Sequence, residues 1–489
     1  MLTRRGLLGG LLAGVAFPVL AEAPVRSPRP MPRPTGGTQA KASADPAALI
    51  EAAALGGVTG FALADARTGE LLEVHEGATL LPPASAAKAL TALYALERLG
   101  AGHRFVTQVL VTGPVSGGVV QGDLVLAGSG DPVLETDNLG DLAAALAKAG
   151  IRGVRGDFLV WDGALPEIDR IAGDQPDHVG YNPAISGLNL NYNRVHFEWK
   201  RAQEGWGVAM DARGSRFVPP VTMARIEVVN REAPLFTYRA RERTEDWTVA
   251  STALGKEGSR WLPVRRPALY AGEVFQTLAR AQGTDLPAPR LARSAPQGQV
   301  VARHASAPLP DILRGMLRHS TNLTAEVMGL SASGQGSLSA SGAAMSDWVK
   351  GSLGADIRFV DHSGLGAKSR VTPSEFARAL VAAQRVPSGA LLKTVLRDLG
   401  MKDDDGGGIE SPVKVIGKTG TLNFVSTLVG YIQPPAGREL VFAIMSADTA
   451  RRDRLSEAER ERPEGGRSWN RRARRLQGQL IARWAGLYA

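Results

Sequence analysis

Three short patterns in this 489-residue chain place a weak nucleophile near groups able to activate it: Ser85-Ala86-Ala87-Lys88, Ser320-Thr321-Asn322 and Lys418-Thr419-Gly420. A serine hydroxyl attacks a carbonyl readily only when a base removes its proton, and a neighbouring amine can be that base. Ser85 and Lys88, three residues apart at the expected start of a helix, lie on one face a turn apart. The amine must be neutral. Lysine titrates near 10.4, so neutrality at pH 7 costs about 4 to 5 kcal/mol unless burial or a second cation lowers the pKa. Lys418 is the candidate second cation, and its ammonium is also a point charge for a substrate carboxylate. Gly420 is expected to let a substrate backbone approach the strand closely. From a loop, the Ser320 hydroxyl would relay a proton and the Asn322 amide would bond a substrate peptide. The backbone N–H groups of Ser85 and Thr421 are the natural oxyanion pair. The chemistry described is acyl transfer to serine.

Other patterns carry less. Ser411-Pro412-Val413-Lys414 repeats the first spacing, but in a β-alternating run that puts serine and lysine on opposite faces. Ser468-Trp469-Asn470 repeats the second, yet follows the Lys-Thr-Gly triplet. The 7 histidines show no metal-ligand spacing, so they are expected to be structural, with no metal and no organic cofactor. Gly128-Ser129-Gly130 lacks the rest of a phosphate loop, and Asp131-Pro132 would repel phosphate, so a turn is expected there. The absence of cysteine excludes disulfides, a thiol nucleophile and cysteine-based zinc sites.

Positioning the serine set falls to the two ends of the chain. A helix is expected from Pro46, behind an Asp45 cap, to about Ala54. A strand over Gly57 to Ala64 turns at Arg67-Thr68-Gly69 into a hairpin partner over Glu70 to Val74. Pro82 and Pro83 break the chain before the helix that begins at Ser85, with Leu90, Leu93, Tyr94 and Leu96 at helical spacing. Residues 105–299 change character: strands such as Leu124 to Leu126, Asp157 to Trp161 and Asn189 to Trp199 alternate with Gly and Pro turns, giving one or two inserted β-rich domains. Helical pattern returns at Tyr270 to Ala281 and at Leu309 to Leu317, with Ser320 just beyond. Strands follow at Val413 to Ile416, Val425 to Ile432 and Leu440 to Met445, then an amphipathic helix near Arg474 to Trp484. Lys418 is placed at the end of the first of these strands. The expected fold is an α/β sandwich made by residues 45–104 and 300–489, with the insert nested inside it.

Hydrophobic residues at 44% and charged residues at 21% are ordinary globular values. Over Met1 to Ala23, Arg4 and Arg5 precede an apolar run from Leu7 to Leu20 that ends in small residues, the layout of an export signal of twin-arginine or ordinary secretory kind. That run is short for a membrane span. Cleavage is expected after Ala21 or Ala23, with Pro24 weighing against the second, and residues 24–44, rich in Pro and Arg, read as a tether. Export points to the periplasm. The net charge of +9 gathers at Arg451, Arg452 and Arg454 and at Arg471, Arg472, Arg474 and Arg475. These are expected to form a solvated helix surface or a peripheral attraction to wall polymer or membrane. No nucleic-acid motif accompanies them.

Together the three motifs resemble the active-site serine penicillin-recognising enzymes. The gap of about 230 residues from Ser85 to Ser320 is similar to peptidase family S13, the class C low-molecular-mass penicillin-binding proteins. So are Pro83-Ala84-Ser85, Gly128-Ser129-Gly130-Asp131-Pro132, Asn322 with Ala325-Glu326, Asp361 with Ser363-Gly364-Leu365, and Gly417 to Leu422. The resemblance implies a β-lactamase/transpeptidase-like α/β sandwich and a D-Ala-D-Ala carboxypeptidase and endopeptidase acting on peptidoglycan stem peptides. It implies catalysis by Ser85, Lys88, Ser320, Asn322 and Lys418, and acylation by β-lactams. Substrate binding falls to Thr419, Gly420, Thr421 and an acidic residue of the insert, Asp174 or Asp177, with Asp177 taken first. Two positions depart from the family pattern: Thr321 stands where Asp is usual, and His362 where Gly is common. The rival readings are a β-lactamase, against which the long gap and the lack of a dedicated deacylating Glu weigh, and a non-catalytic wall-binding or drug-sensing module, for which the full set would be superfluous.

Overall fold

The computed structural model describes residues 45–403 and 407–489, so the export signal and tether lie outside the described residues. The serine set rests on a six-stranded antiparallel sheet, in the order Arg397–Asp398, Lys414–Leu422, Val425–Gln433, Leu440–Ala447, Val58–Asp65, Leu71–His75. The two ends of the chain meet in it, because Val58 to Asp65 pairs in full register with Ala447 to Leu440. Alternation along each strand then divides the sequence between two layers. Leu440, Phe442 and Ile444 face the helix Gly466–Tyr488 and meet its Trp469, Leu476 and Trp484. Val441, Ala443 and Met445 face the other way, toward Leu90 and Leu93 of the helix Ala87–Leu99. That helix is buried at every position from Ala87 to Leu96, consistent with its apolar run and lack of a polar face. Helices Leu309–His319, Asn322–Ser333 and Leu338–Leu353 pack around it.

The intervening chain builds a separate apolar core from residues such as Leu124, Phe158, Phe197, Trp247 and Phe275. Its largest sheet has the order Arg290–Leu291, Phe158–Trp161, Leu124–Gly128, Val106–Val111, Gln299–Ala305. Val106–Val111 pairs antiparallel with Gln299–Ala305, so the chain leaves and re-enters the catalytic framework at one place. Among the described residues it also holds three three-stranded sheets, centred on Arg194–Arg201, Glu245–Ala250 and the short Val119–Val120.

Three expectations need correction. The strand expected from Asn189 starts at Arg194, because Asn191, Tyr192 and Asn193 all take left-handed backbone angles. Asparagine tolerates that region by bonding locally, as Asn193 Oδ1 does in accepting from the Leu190 N–H. The strand bearing Lys418 does not end there but runs from Lys414 to Leu422, paired throughout with Val425–Gln433. The last helix starts at Gly466 rather than near Arg474; its Arg-rich first turns are good helix formers with no breaker between them. Among the described residues no helix is long and apolar enough to cross a membrane.

Candidate active site

Ser85 lies in a 3-10 turn, Ala84–Ala86, that feeds the buried helix Ala87–Leu99. Thr427 Oγ1 donates to the Pro83 carbonyl at 2.8 Å and ties this turn to the sheet. Ala84 takes φ 46°, a left-handed angle that non-glycine residues adopt mainly where surrounding structure enforces it. Two glycines do the enforcing. A Cβ on Gly364 would sit 1.8 Å from the Ala84 carbonyl oxygen, and one on Gly420 would sit 2.9 Å from the backbone nitrogens of Ser85 and Ala86. Gly420 thus makes room for the serine's own turn.

Lys88, fully buried, spends its amine on three oxygens: Ser85 Oγ at 2.9 Å, Asn322 Oδ1 at 2.7 Å and the Ser363 carbonyl at 2.7 Å. Two of these oxygens only accept; the serine hydroxyl can also donate. The Lys88 amine donates to all three, as the three N–H groups of an ammonium can; once a proton is lost, its lone pair is left to Ser85, the one partner of the three able to donate back. Burial pushes the Lys88 amine well below its ordinary value and the Lys418 charge adds to the push, while Glu326 and Asp361 oppose it.

Those two acids hold the turn that presents the Ser363 carbonyl. Glu326 accepts from the backbone N–H of His362 at 3.0 Å and of Ser363 at 2.9 Å; Asp361 accepts from Gly364 and Gly366 at 2.9 and 2.5 Å. Burial, and then Asp361, raise Glu326 to about 8. His362 fits because residue 329 is a glycine: a Cβ there would lie 2.0 Å from the imidazole. Its Nε2 is 2.6 Å from Ser341 Oγ, and burial pushes it down to about 3, so it stays neutral.

Ser320 closes the helix Leu309–His319 in a left-handed conformation at φ 57°, Thr321 stands outside, and Asn322 opens the next helix. This sharp corner brings Asn322 Oδ1 to Lys88 and Ser320 Oγ to within 3.0 Å of Lys418 Nζ. Lys418 also donates to the Thr419 carbonyl at 2.5 Å; burial, and then Arg397, lower it to about 7. The Thr321 hydroxyl donates to Thr324 at 2.9 Å. Arg397–Asp398 pairs only with Gly417 and Ile416, so among the described strands the edge at residues 418–422 stays open. Of the decoy residues, Lys414 is exposed at the strand's start and Ser468 bonds the Gly465 carbonyl.

Ser85, Ser320, Asn322 and Thr421 line one wall of a cleft of about 330 Å³. The facing wall comes from two segments far apart in sequence: Gln175 and Tyr181 from the insert, and Arg452, Arg460, Glu461 and Asn470 from the C-terminal part. Long-range bonds join them. The Tyr181 carbonyl accepts from Asn322 Nδ2 at 2.9 Å, and Glu461 pairs with His178 at 2.8 Å and Arg260 at 3.2 Å. Sequence reasoning missed this wall, although Tyr181 lies close in sequence to Asp174 and Asp177. Asp177 is not brought to the cleft: Arg170 holds its carboxylate at 2.6 Å and Arg265 bonds its backbone carbonyl at 2.9 Å. Asp174 lines a side pocket with Gln175 and Arg452. His196, Glu198 and Asp211 gather in the insert with metal-ligand proximity, but Arg213 already pairs with both carboxylates.

A family model described as the D-Ala-D-Ala carboxypeptidase 3 (S13) family matches residues 42–463. The chain belongs to that family. A D-alanyl-D-alanine carboxypeptidase of Actinomadura sp. is 30% identical over 434 residues, spanning 82% of this chain and 79% of its own. The D-alanyl-D-alanine carboxypeptidase DacB of Haemophilus influenzae is 25% identical over 409 residues, 79% of this chain and 85% of that one. Among solved structures, penicillin binding protein 4 from Haemophilus influenzae matches with a TM-score of 0.73 at 22% identity, over 90% of this chain and 99% of that chain. The shared fold is the expected transpeptidase-like α/β sandwich with its insertions. As a member of S13, the chain is a serine hydrolase of the D-Ala-D-Ala carboxypeptidase class.

Proposed function

We propose that Ser85 is the nucleophile and Lys88 its base in hydrolysis of the D-Ala-D-Ala end, and of D-Ala cross-links, of peptidoglycan stem peptides. The observation that carries this is the buried Lys88 amine 2.9 Å from Ser85 Oγ, with its two other partners, Asn322 Oδ1 and the Ser363 carbonyl, able only to accept, so that a deprotonated Lys88 turns its lone pair to Ser85. Ser85 Oγ attacks the penultimate D-Ala carbonyl while Lys88 takes its proton, and the oxyanion forms against the N–H groups of Ser85 and Thr421. The C–N bond then breaks, and the Lys88 proton passes through Ser320 to the leaving amine. Water attacks the resulting ester, Lys88 again accepting a proton, and frees the shortened peptide and Ser85. A free D-Ala leaving group makes the reaction a carboxypeptidase step; a neighbouring stem's side-chain amine makes it an endopeptidase step.

In this reading Lys418 holds the substrate's terminal carboxylate, Thr419 and Thr421 offer backbone along the open strand edge, and β-lactams acylate Ser85 as substrate mimics. The insert over residues 105–299 acts as a selecting domain, and residues 1–23 direct export to the periplasm. The rival β-lactamase reading lacks support in the cleft, since its single lining carboxylate among the described residues, Glu461, is held by His178 and Arg260. The test is D-alanine release from diacetyl-L-lysyl-D-alanyl-D-alanine, together with opening of purified cross-linked muropeptide dimers. Release and opening are expected from the wild type; neither from folded protein would overturn the proposal.

A further inference from the structure

Beyond Tyr181, Asn423, Glu461 and Asn470, which line both spaces, the catalytic cleft runs into a groove of about 1470 Å³ along the first turns of the helix Gly466–Tyr488. Arg467, Arg471 and Arg474 project from that helix at positions i, i+4 and i+7, so they share one face. All three are exposed, and Arg462 precedes them in the same groove. Arg462, Arg467 and Arg471 make no ion pair among the described residues. Glu461 is the groove's one lining carboxylate among the described residues, and His178 and Arg260 already occupy it. The dipole of this 23-residue helix has its positive end at the same place.

Two further observations join this charge to the reaction. Arg474 reaches Thr421 Oγ1, on the open edge of the Lys-Thr-Gly strand, at 3.5 Å. Asn470 lines both spaces, and its buried Oδ1 has no hydrogen-bond partner among the described residues, an acceptor left for a ligand amide that a small shift of the side chain would reach.

We propose that this groove is an exosite for the carboxylate-bearing wall strand beyond the stem peptide cut at Ser85, so that the enzyme selects polymer over free peptide. This rests on the peptidase reading above. Arginine forks match carboxylates, and a row of them with one-turn spacing suits a ligand that repeats its negative charges. A concave groove continuous with the cleft favours a strand over a membrane surface, which calls for a protruding face with apolar anchors.

The test compares wild type with the double variant Arg467→Glu/Arg471→Glu, using isolated peptidoglycan sacculi, diacetyl-L-lysyl-D-alanyl-D-alanine and fluorescent penicillin. Turnover of sacculi should fall about 10-fold and lose most of its salt dependence, while tripeptide turnover and penicillin acylation stay at wild type. A control of equal charge change, Lys148→Glu/Arg155→Glu, exposed and outside the groove, should keep its rate on sacculi. The proposal is overturned if the groove variant keeps its polymer rate, loses all three activities together, or is matched by the control. It is equally overturned if the variant loses binding to phosphatidylglycerol vesicles with its polymer rate intact. Should wild type fail to label with penicillin, the peptidase reading fails, and co-sedimentation with sacculi still reports on the groove.

Discussion

The two walls of the cleft are built on opposite principles. On the Ser85 wall the groups around the Lys88 amine are fixed by buried contacts: Lys88 has three partners, Glu326 and Asp361 each hold two backbone N–H groups, and the chain turns through left-handed corners at Ala84 and Ser320. On the facing wall, partly exposed side chains from two segments far apart in sequence are held by ion pairs such as Glu461 with His178 and Arg260. Rigid, water-excluded groups suit proton transfer, which tolerates little misplacement. Solvated ion pairs contribute little rigidity and suit recognition that varies with substrate. Under the proposed reading the first wall carries the chemistry and the second the selection.

Substitutions should separate the walls in that order. Ser85→Ala should lower peptide hydrolysis by roughly 10⁴-fold or more with unchanged circular dichroism, since the covalent partner is gone. Lys88→Arg should fall within about tenfold of it in acylation rate, because a guanidinium does not give up its proton in a protein. Wild-type acylation by this variant would remove the amine from the mechanism.

Lys418→Gln should cost free-acid peptides about 10- to 150-fold more in kcat/KM than the matching esters, the loss of one charge-assisted hydrogen bond. Its pH dependence sharpens the point. The folded pKa of Lys418, about 7, lies below that of ordinary lysine, so the charge is present at low pH and lost as pH rises through 7. In wild type the ratio of free-acid to ester kcat/KM should therefore fall across pH 7, and in Lys418→Gln it should be flat. A flat wild-type ratio would move the carboxylate anchor elsewhere.

The facing wall should respond least. Glu461→Gln weakens pairs that are only partly buried, so peptide turnover should change less than about tenfold with penicillin acylation intact. Equal damage to both activities would join the two walls into one unit. Asp174→Asn, beside Gln175 and Arg452, should alter selectivity for peptides with a free side-chain amine more than Asp177→Asn, whose carboxylate is spent on Arg170.

The same contrast explains what could be read from sequence. Ser85 with Lys88 is a local spacing on a helix, and the alternation of Leu440 to Met445 sorts itself into two faces, so serine motif and sandwich were both legible. Ser320 and Lys418 joined them through family resemblance and motif order. Glu326 was visible only as a motif neighbour, since its role depends on a turn at Asp361 to Gly366 that no local pattern announces. Glu461 and Tyr181 meet partners 283 and 141 residues away, and closure at such separation leaves no trace in spacing. Asn470, set aside with Ser468 as a chance repeat, reaches the cleft because its helix begins eight residues earlier than its apolar period suggested.

The central claim, that Ser85 is acylated with Lys88 as its base, is tested most directly by mass spectrometry of the intact protein after brief exposure to benzylpenicillin. The expected result is one penicilloyl adduct, mapped by peptide sequencing to Ser85, absent in Ser85→Ala and strongly slowed in Lys88→Arg. No adduct on folded wild-type protein, or an adduct that persists in Ser85→Ala, would contradict it.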